Sequence, residues 1–170
     1  VVPALLNIGQ AWNDGEMALS QVYMSGRFCE ELMNTVLPPS DPDRKHQPRS
    51  AIVVLSDHHD LGKRIVYSVM RASGYELFDY GRMDVAQLVE RAVADRISVL
   101  MISVLLLPSA LRVRDVCTRL RESGTAIRVA VGGAPFQFDA GLWQEVGADA
   151  VGRSAADAVG IAAGWMGASP

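Results

Sequence analysis

From Ala51 onward the chain repeats one pattern five times: a short apolar run, a loop rich in Gly, Asp or Ser, and a stretch of helical period. "AIVVLS" is continuously apolar, as in a strand buried on both faces of a sheet. A helix is expected after it, from Leu61 or Gly62 to Ser73. "YELFDYG" reads as a second, weaker strand, and "DVAQLVERAVAD" as a helix with Asp84 as its N-cap. "ISVLMISVLL" is the third strand, followed by the helix "SALRVRDVCTRLRESG", which Gly124 ends. "AIRVAVGG" and "ADAVG" supply strands four and five, with helices in "DAGLWQEVG" and "SAADAVGIAAGWM". Five alternations of strand and helix predict an α/β fold, a doubly wound parallel sheet of five strands with helices on both faces.

The first 50 residues follow another rule. "PALLNIGQAW" carries apolar residues at helical spacing, and "NDG" at 13–15 breaks it. A second helix is expected from Glu16 to Val36, with Leu19, Val22, Tyr23, Gly26, Met33 and Val36 on one face. "PPSDPDRKHQPRS" holds four prolines and mixed charge and builds no core. The division expected is a helical appendage over 1–37, a linker over 38–50 and a main domain over 51–170. The chain starts at Val1 without an initiator Met, which suggests a fragment or a trimmed chain.

Composition removes several function classes. The chain has 170 residues, 49% of them hydrophobic, and a formal net charge of -3. Without an excess of Lys and Arg it is not expected to bind nucleic acid. No apolar run is long enough to span a bilayer, and no signal peptide is evident, so a cytoplasmic protein is expected. Cys29 and Cys117 are too far apart in sequence for a short-spaced zinc pair, and free buried thiols are the expectation.

In doubly wound sheets, ligands bind beyond the carboxyl ends of the strands. The unusual residues of this chain fall there: "SDHHDLG" after strand one, "SVLLLPS" after strand three, "GGAPFQF" after strand four and "GRS" after strand five. Two of the chain's three histidines, His58 and His59, stand side by side in the first of these loops. Three readings compete for it: a metal ligand set, an acid/base pair, or a polar loop in which Asp57 or Asp60 caps the next helix. His46 lies in the Pro-rich linker and is expected to be solvated.

The loops also carry spaced motifs: D-x-H-x-x-G at Asp57, His59 and Gly62; S-x-L at Ser103 and Leu105, with Ser109 six residues after Ser103; and Gly132-Gly133 ending strand four. Taken together, in this order, they resemble the cobalamin-binding domain of corrinoid proteins. That family includes cobalamin-dependent methionine synthase and the methanol and methylamine corrinoid proteins. The resemblance covers about Ala51 to Met166, and "WNDGEMALSQVYMSGRFCEELM" resembles the last two helices of the helical cap in the methyl-transferring members.

The resemblance implies a flavodoxin-like fold binding cobalamin in its base-off, His-on state. His59 would be the lower axial ligand to cobalt. Asp57 would accept a hydrogen bond from the other ring nitrogen, and Ser109 would hydrogen-bond to Asp57, completing a proton relay. Gly62, Ser103, Leu105, Gly132 and Gly133 would line the channel of the displaced nucleotide tail. Asp60, Leu61 and the turn Gly152, Arg153, Ser154 would touch corrin side chains or the tail, and His58, counted with the cofactor-binding set, is expected to be a surface loop residue and not a ligand. Met17, Leu19, Val22 and Tyr23 would face the upper side of the corrin.

The activity implied is that of a methyl carrier, not catalytic alone. One methyltransferase, specific for a donor such as a methylamine, methanol or an aryl ether, would load it. A second would pass the methyl to an acceptor such as tetrahydrofolate, and a reductive activase is a further partner. Two departures stand out. Only about two cap helices are found where the family has four, so a homodimer completing the cap is one expectation. Ala18 stands where methionine synthase has an aromatic residue. The alternatives are the small subunit of an adenosylcobalamin mutase, a cobalamin-binding sensor or regulatory module, and a flavodoxin-like domain without corrin.

Overall fold

A computed structural model describes residues 7–36, apart from 9, 12 and 13, and residues 47–166. Helix α1 is Leu19–Val36. Strands β1 (Ser50–Leu55), β2 (Phe78–Met83), β3 (Val99–Ser103), β4 (Arg128–Gly132) and β5 (Ala150–Gly152) form one sheet in the order β2-β1-β3-β4-β5. Every neighbouring pair is parallel. This is the doubly wound arrangement with its switch point between β1 and β3, the two strands whose loops carry the sequence motifs.

The connecting helices are α2 (Leu61–Ala72), α3 (Val85–Ala94), α4 (Leu107–Leu111), α5 (Val113–Glu122), α6 (Ala134–Phe138), α7 (Leu142–Glu145) and α8 (Ala155–Met166). Alternation along the strands divides the core in two. Ala51, Val53 and Leu55 pack with Leu88, Ala92, Val113, Val116, Leu120 and Phe136 on one face. Ile52, Met101 and Ala130 pack with Met70, Leu77, Ala158 and Ala162 of α2, α8 and the β2 approach on the other. Asp84 caps α3 through a full capping box with Gln87, as its position before "VAQL" predicts.

Several boundaries differ from the sequence reading. The apolar run through Leu106 suggested a long third strand, but β3 ends at Ser103. Leu107 already opens a helix, whose first turn can hold Pro108. The single helix expected over 109–124 is two, joined at Arg112. Strand β2 starts three residues later than expected, and α6 was not foreseen because Pro135 reads as a turn residue.

Of the expected linker, 38–46 lies outside the described residues, His46 with it, and Ser50 is already the first residue of β1. Of the first expected helix, residues 7, 8, 10 and 11 are described and helical, and its breaker is a turn at Asp14 and Gly15. Helix α1 crosses α2 at Gly26, where an added Cβ would lie 3.7 Å from Leu61 and 3.8 Å from Ile65. Its neighbour Val22 is fully enclosed. Cys117 is a buried free thiol, and burial pushes its pKa up to about 11.

Candidate functional site

The first loop is built around one buried carboxylate. β1 stops at Leu55, and Ser56 turns the chain in the left-handed region at φ 49, uncommon for a residue other than Gly. Three contacts hold Ser56 there. Its N–H donates to the Met83 carbonyl at 2.9 Å, its carbonyl accepts from the Ser109 hydroxyl at 2.9 Å, and its Oγ accepts from Arg112 at 3.4 Å. The turn directs Asp57 inward, where it is 2% exposed.

Both Asp57 oxygens are fully engaged. Oδ1 accepts from the His58 N–H at 2.6 Å, the His59 N–H at 3.1 Å and the His59 ring Nδ1 at 2.7 Å. Oδ2 accepts from the N–H groups of Leu105 at 2.9 Å and Leu106 at 3.1 Å. The latter two lie at the entrance to α4, where a helix leaves its first donors unpaired. Burial alone would raise the pKa of Asp57. The hydrogen bonds from the His59 ring and from the Leu105, His59 and His58 backbone outweigh it and hold the carboxyl well below the usual range.

An ionised carboxylate only accepts, so the proton on the His59 ring sits on Nδ1 and the lone pair on Nε2. The His59 side chain is 57% exposed. The result is an imidazole oriented by a buried carboxylate at one nitrogen and open at the other, the arrangement of a metal-ligating histidine. No group of three His, Cys, Asp or Glu side chains converges among the described residues. Among the described residues, His59 thus stands as a single nitrogen ligand without a protein ligand set around it.

Exposed apolar side chains stand on the segments that follow β3 and β4 at this edge of the sheet. Leu105, Leu106, Leu107 and Leu111 are each between 42% and 54% exposed, and Phe138 of α6 is 91% exposed. Of these only Leu105 was named as a site residue from sequence, and its backbone N–H donates to Asp57. Leu106, Leu107 and Phe138 lie in the loops "SVLLLPS" and "GGAPFQF" that the sequence placed at this edge, but they were not named singly.

The glycines divide into two kinds. A Cβ on Gly62 would lie 3.5 Å from the Ser103 hydroxyl, ordinary contact, so a small gap separates the start of α2 from the end of β3. A Cβ on Gly132 would lie 3.0 Å from the Gly152 carbonyl. On Gly133, at φ +121, it would fall 1.7 Å from the Val104 carbonyl. Gly133 is thus required by backbone meeting backbone within the fold.

Other expected residues also find structural partners. Ser109 is buried, but its hydroxyl bonds to Ser56, not to Asp57, because five N–H donors already occupy the carboxylate; this corrects the expected relay. Val22 is enclosed and presents no surface to a ligand, whereas Tyr23 is 41% exposed and Met17 is partly buried. Leu19 opens α1, and its side chain lies outside the described residues. Asp60 stands at the N-cap of α2 without a side-chain cap bond and pairs with Arg64 at 3.0 Å. Leu61 packs towards α1. In the turn Gly152, Arg153, Ser154, the last two N–H groups donate to Asp157, capping α8. His58 is exposed and meets Arg82 of β2.

Comparison with known proteins gives consistent matches. The B12 binding domain family matches residues 50–163. Over 166 residues the chain is 30% identical to a monomethylamine corrinoid protein of Methanosarcina barkeri, covering 91% of this chain and 75% of that protein. Over 164 residues it is 30% identical to the trimethylamine corrinoid protein of the same organism, covering 89% and 72%. Among solved structures, a cobalamin-binding protein from Desulfitobacterium hafniense DCB-2 superposes with a TM-score of 0.71 at 26% identity, covering 95% of this chain and 78% of that one. The Methanosarcina barkeri monomethylamine corrinoid protein superposes with a TM-score of 0.65 at 28% identity, with the same coverages.

Proposed function

We propose, given that the chain belongs to the B12-binding family of corrinoid proteins, that it carries methyl groups on a bound cobalamin whose cobalt takes His59 as its lower ligand. The observation that carries this reading is the His59–Asp57 pair, with Nδ1 fixed on a buried carboxylate and the ring open at Nε2. The surroundings fit the cofactor. One protein nitrogen suffices for a metal already held by a macrocycle, and the leucines around α4 with Phe138 offer apolar contact to a broad, flat ring.

When bound, the cobalt supplies the methyl-accepting and methyl-donating chemistry. The chain's own residues bind and orient. Asp57 fixes the His59 tautomer and ring plane and strengthens the imidazole as a ligand. Gly62 and Ser103, which face each other where α2 meets the end of β3, would line the path of the displaced nucleotide tail. The helical segment before β1 lies beside the loop through the α1–α2 crossing and would shield the upper face, Met17 and Tyr23 being the candidates to face it. A donor-specific methyltransferase and an acceptor methyltransferase, one using tetrahydrofolate for example, are the partners of such a carrier. A reductive activase and a second copy completing the cap belong to the same proposal. No helix among the described residues is long and apolar enough to cross a membrane.

The test is direct. Wild type and His59→Ala are each mixed with hydroxocobalamin, desalted, and their absorption spectra compared. Wild type should retain the corrin with a spectrum that the substitution alters. Equal spectra for the two proteins would remove His59 as the ligand. Transfer of isotopically labelled methyl from a methylamine to tetrahydrofolate, with the two methyltransferases present, then tests the carrier role. No dependence of that transfer on this protein would refute it.

A further inference from the structure

His58 and His59 are adjacent, and either imidazole could ligate a metal. Their backbone does not choose between them, because both N–H groups donate to the same Asp57 oxygen. The choice lies in what each ring meets. The His59 ring folds back onto Asp57, while the His58 Nδ1 is engaged by the guanidinium of Arg82. Arginine only donates, so His58 accepts at Nδ1, and its ring is drawn towards β2 and away from the His59 side of the loop.

Arg82 is aimed there by an irregularity in the sheet. In the β1–β2 pairing Ile52 stands opposite Asp79, but Val54, two residues on, stands opposite Arg82, three residues on. The extra residue is accommodated at Gly81, whose φ of +63 a side chain would resist. The bulge is itself pinned. The Asp79 Oδ1 accepts the Gly81 N–H at 2.8 Å, and the buried Lys63 of α2 binds the Asp79 carboxylate at 2.6 and 2.7 Å. Lys63, Asp79, Gly81 and Arg82 thus form a connected path from the first turn of α2 to the His58 ring.

We propose that Arg82 is a specificity-determining residue that holds His58 aside, so that only His59 serves the metal. The inference rests on reading His59 as the lower ligand. A tethered imidazole one residue away competes at an effective concentration of roughly millimolar or more. Without Arg82 the site would have two ligand choices and two positions for the ring above them.

The experiment uses the full chain labelled with 15N-histidine, loaded with cobalamin and reduced to the paramagnetic Co(II) state. The splitting of its EPR lines identifies the lower ligand. A 15N imidazole gives doublets, whereas the cofactor's own 14N base gives triplets. Wild type should show doublets. His59→Ala should lose them, because Arg82 retains His58. His59→Ala/Arg82→Met should regain them, and adding His58→Ala should abolish them again. Arg82→Lys in the His59→Ala background keeps a donor at the same place and should not regain them. Doublets persisting in His59→Ala alone, or failing to return with Arg82→Met, overturn the proposal. Absence of doublets in wild type overturns the His59 reading first, so the two failures are told apart.

Discussion

Asp57→Asn separates the fold from the chemistry at one atom. The side chain keeps its shape but can accept at only one of its two ends. If the amide oxygen serves the three donors at Oδ1, the NH2 group points at the N–H groups of Leu105 and Leu106. Two buried donors then lose their acceptor, at about 1–3 kcal/mol each, so a loss of roughly 2–6 kcal/mol is expected without any cofactor. For a domain of this size that lowers Tm by at least about 4 °C, at roughly 2–4 °C per kcal/mol. Urea unfolding followed by circular dichroism measures it.

The pH dependence gives a second reading of the same effect. The folded pKa of Asp57 lies below its unfolded value, so its stabilising contribution is fully present above the unfolded pKa of about 3.9. It is lost as pH falls below that value towards the folded one. Asn does not titrate, and the other carboxylates are common to both proteins. The stability gap between wild type and Asp57→Asn should therefore narrow between about pH 5 and pH 3. A gap that stays constant over that range, or a cost below about 0.5 kcal/mol at neutral pH, refutes the five-donor account. His59→Ala is the control: Asp57 keeps four backbone donors and the exposed ring is removed, so the cofactor-free protein should lose no more than about 1 kcal/mol.

Gly62→Ala should leave the cofactor-free Tm unchanged or raise it, since Ala favours a helix by up to about 1 kcal/mol, while retention of cobalamin after desalting falls. Gly133→Ala must displace the Val104 backbone and should unfold the protein or lower its Tm severely. Removing Asp79 strands the buried Lys63 ammonium, so Asp79→Ala should cost about 3 kcal/mol by chemical unfolding. Lys63→Met should cost clearly less, because the Asp79 side chain is 38% exposed and retains the Gly81 N–H. Asp84→Ala breaks the α3 capping box and should cost about 1 kcal/mol in the same assay.

The parts of this molecule legible in its sequence are those written in side chains. "AIVVLS" declares a strand buried on both faces, and every residue of β1 is buried. Asp57 and His59 could be named through the family resemblance that their motif helps to carry, and the structure brings them to 2.7 Å. What escaped reading is backbone. The donors from Leu105 and Leu106 have no residue signature, because any residue supplies an N–H at a helix start. The run "VLLLP" continues the apolar pattern of β3, so hydrophobicity alone could not place the strand's end at Ser103. The bulge at Gly81 has the same character: a glycine in "FDYGRM" is visible, but its role in turning Arg82 towards His58 depends on pairing register with β1. His58, read from sequence as a neighbour of the ligand, gains its meaning only from that register.

Ser109 shows how such backbone bonds redirect a mechanism. From sequence, a chain of Ser109, Asp57 and His59 offers a proton path to the lower ligand. In the structure Ser109 donates to the Ser56 carbonyl, and Asp57 has no acceptor site left to take its hydroxyl. The serine therefore supports the left-handed turn at Ser56, and the carboxylate orients His59 without exchanging protons through Ser109. Ser109→Ala should then cost about 1 kcal/mol of stability for one neutral hydrogen bond. In the cobalamin-loaded protein it should leave unchanged the pH at which the His-ligated spectrum is lost, whereas Asp57→Asn moves it. A displacement in Ser109→Ala beyond about half a pH unit, equivalent to roughly 0.7 kcal/mol, would mean that the hydroxyl reaches Asp57 once cofactor is bound. The turn at Ser56 would then have to open on loading, losing the bond from Ser109 that holds it now.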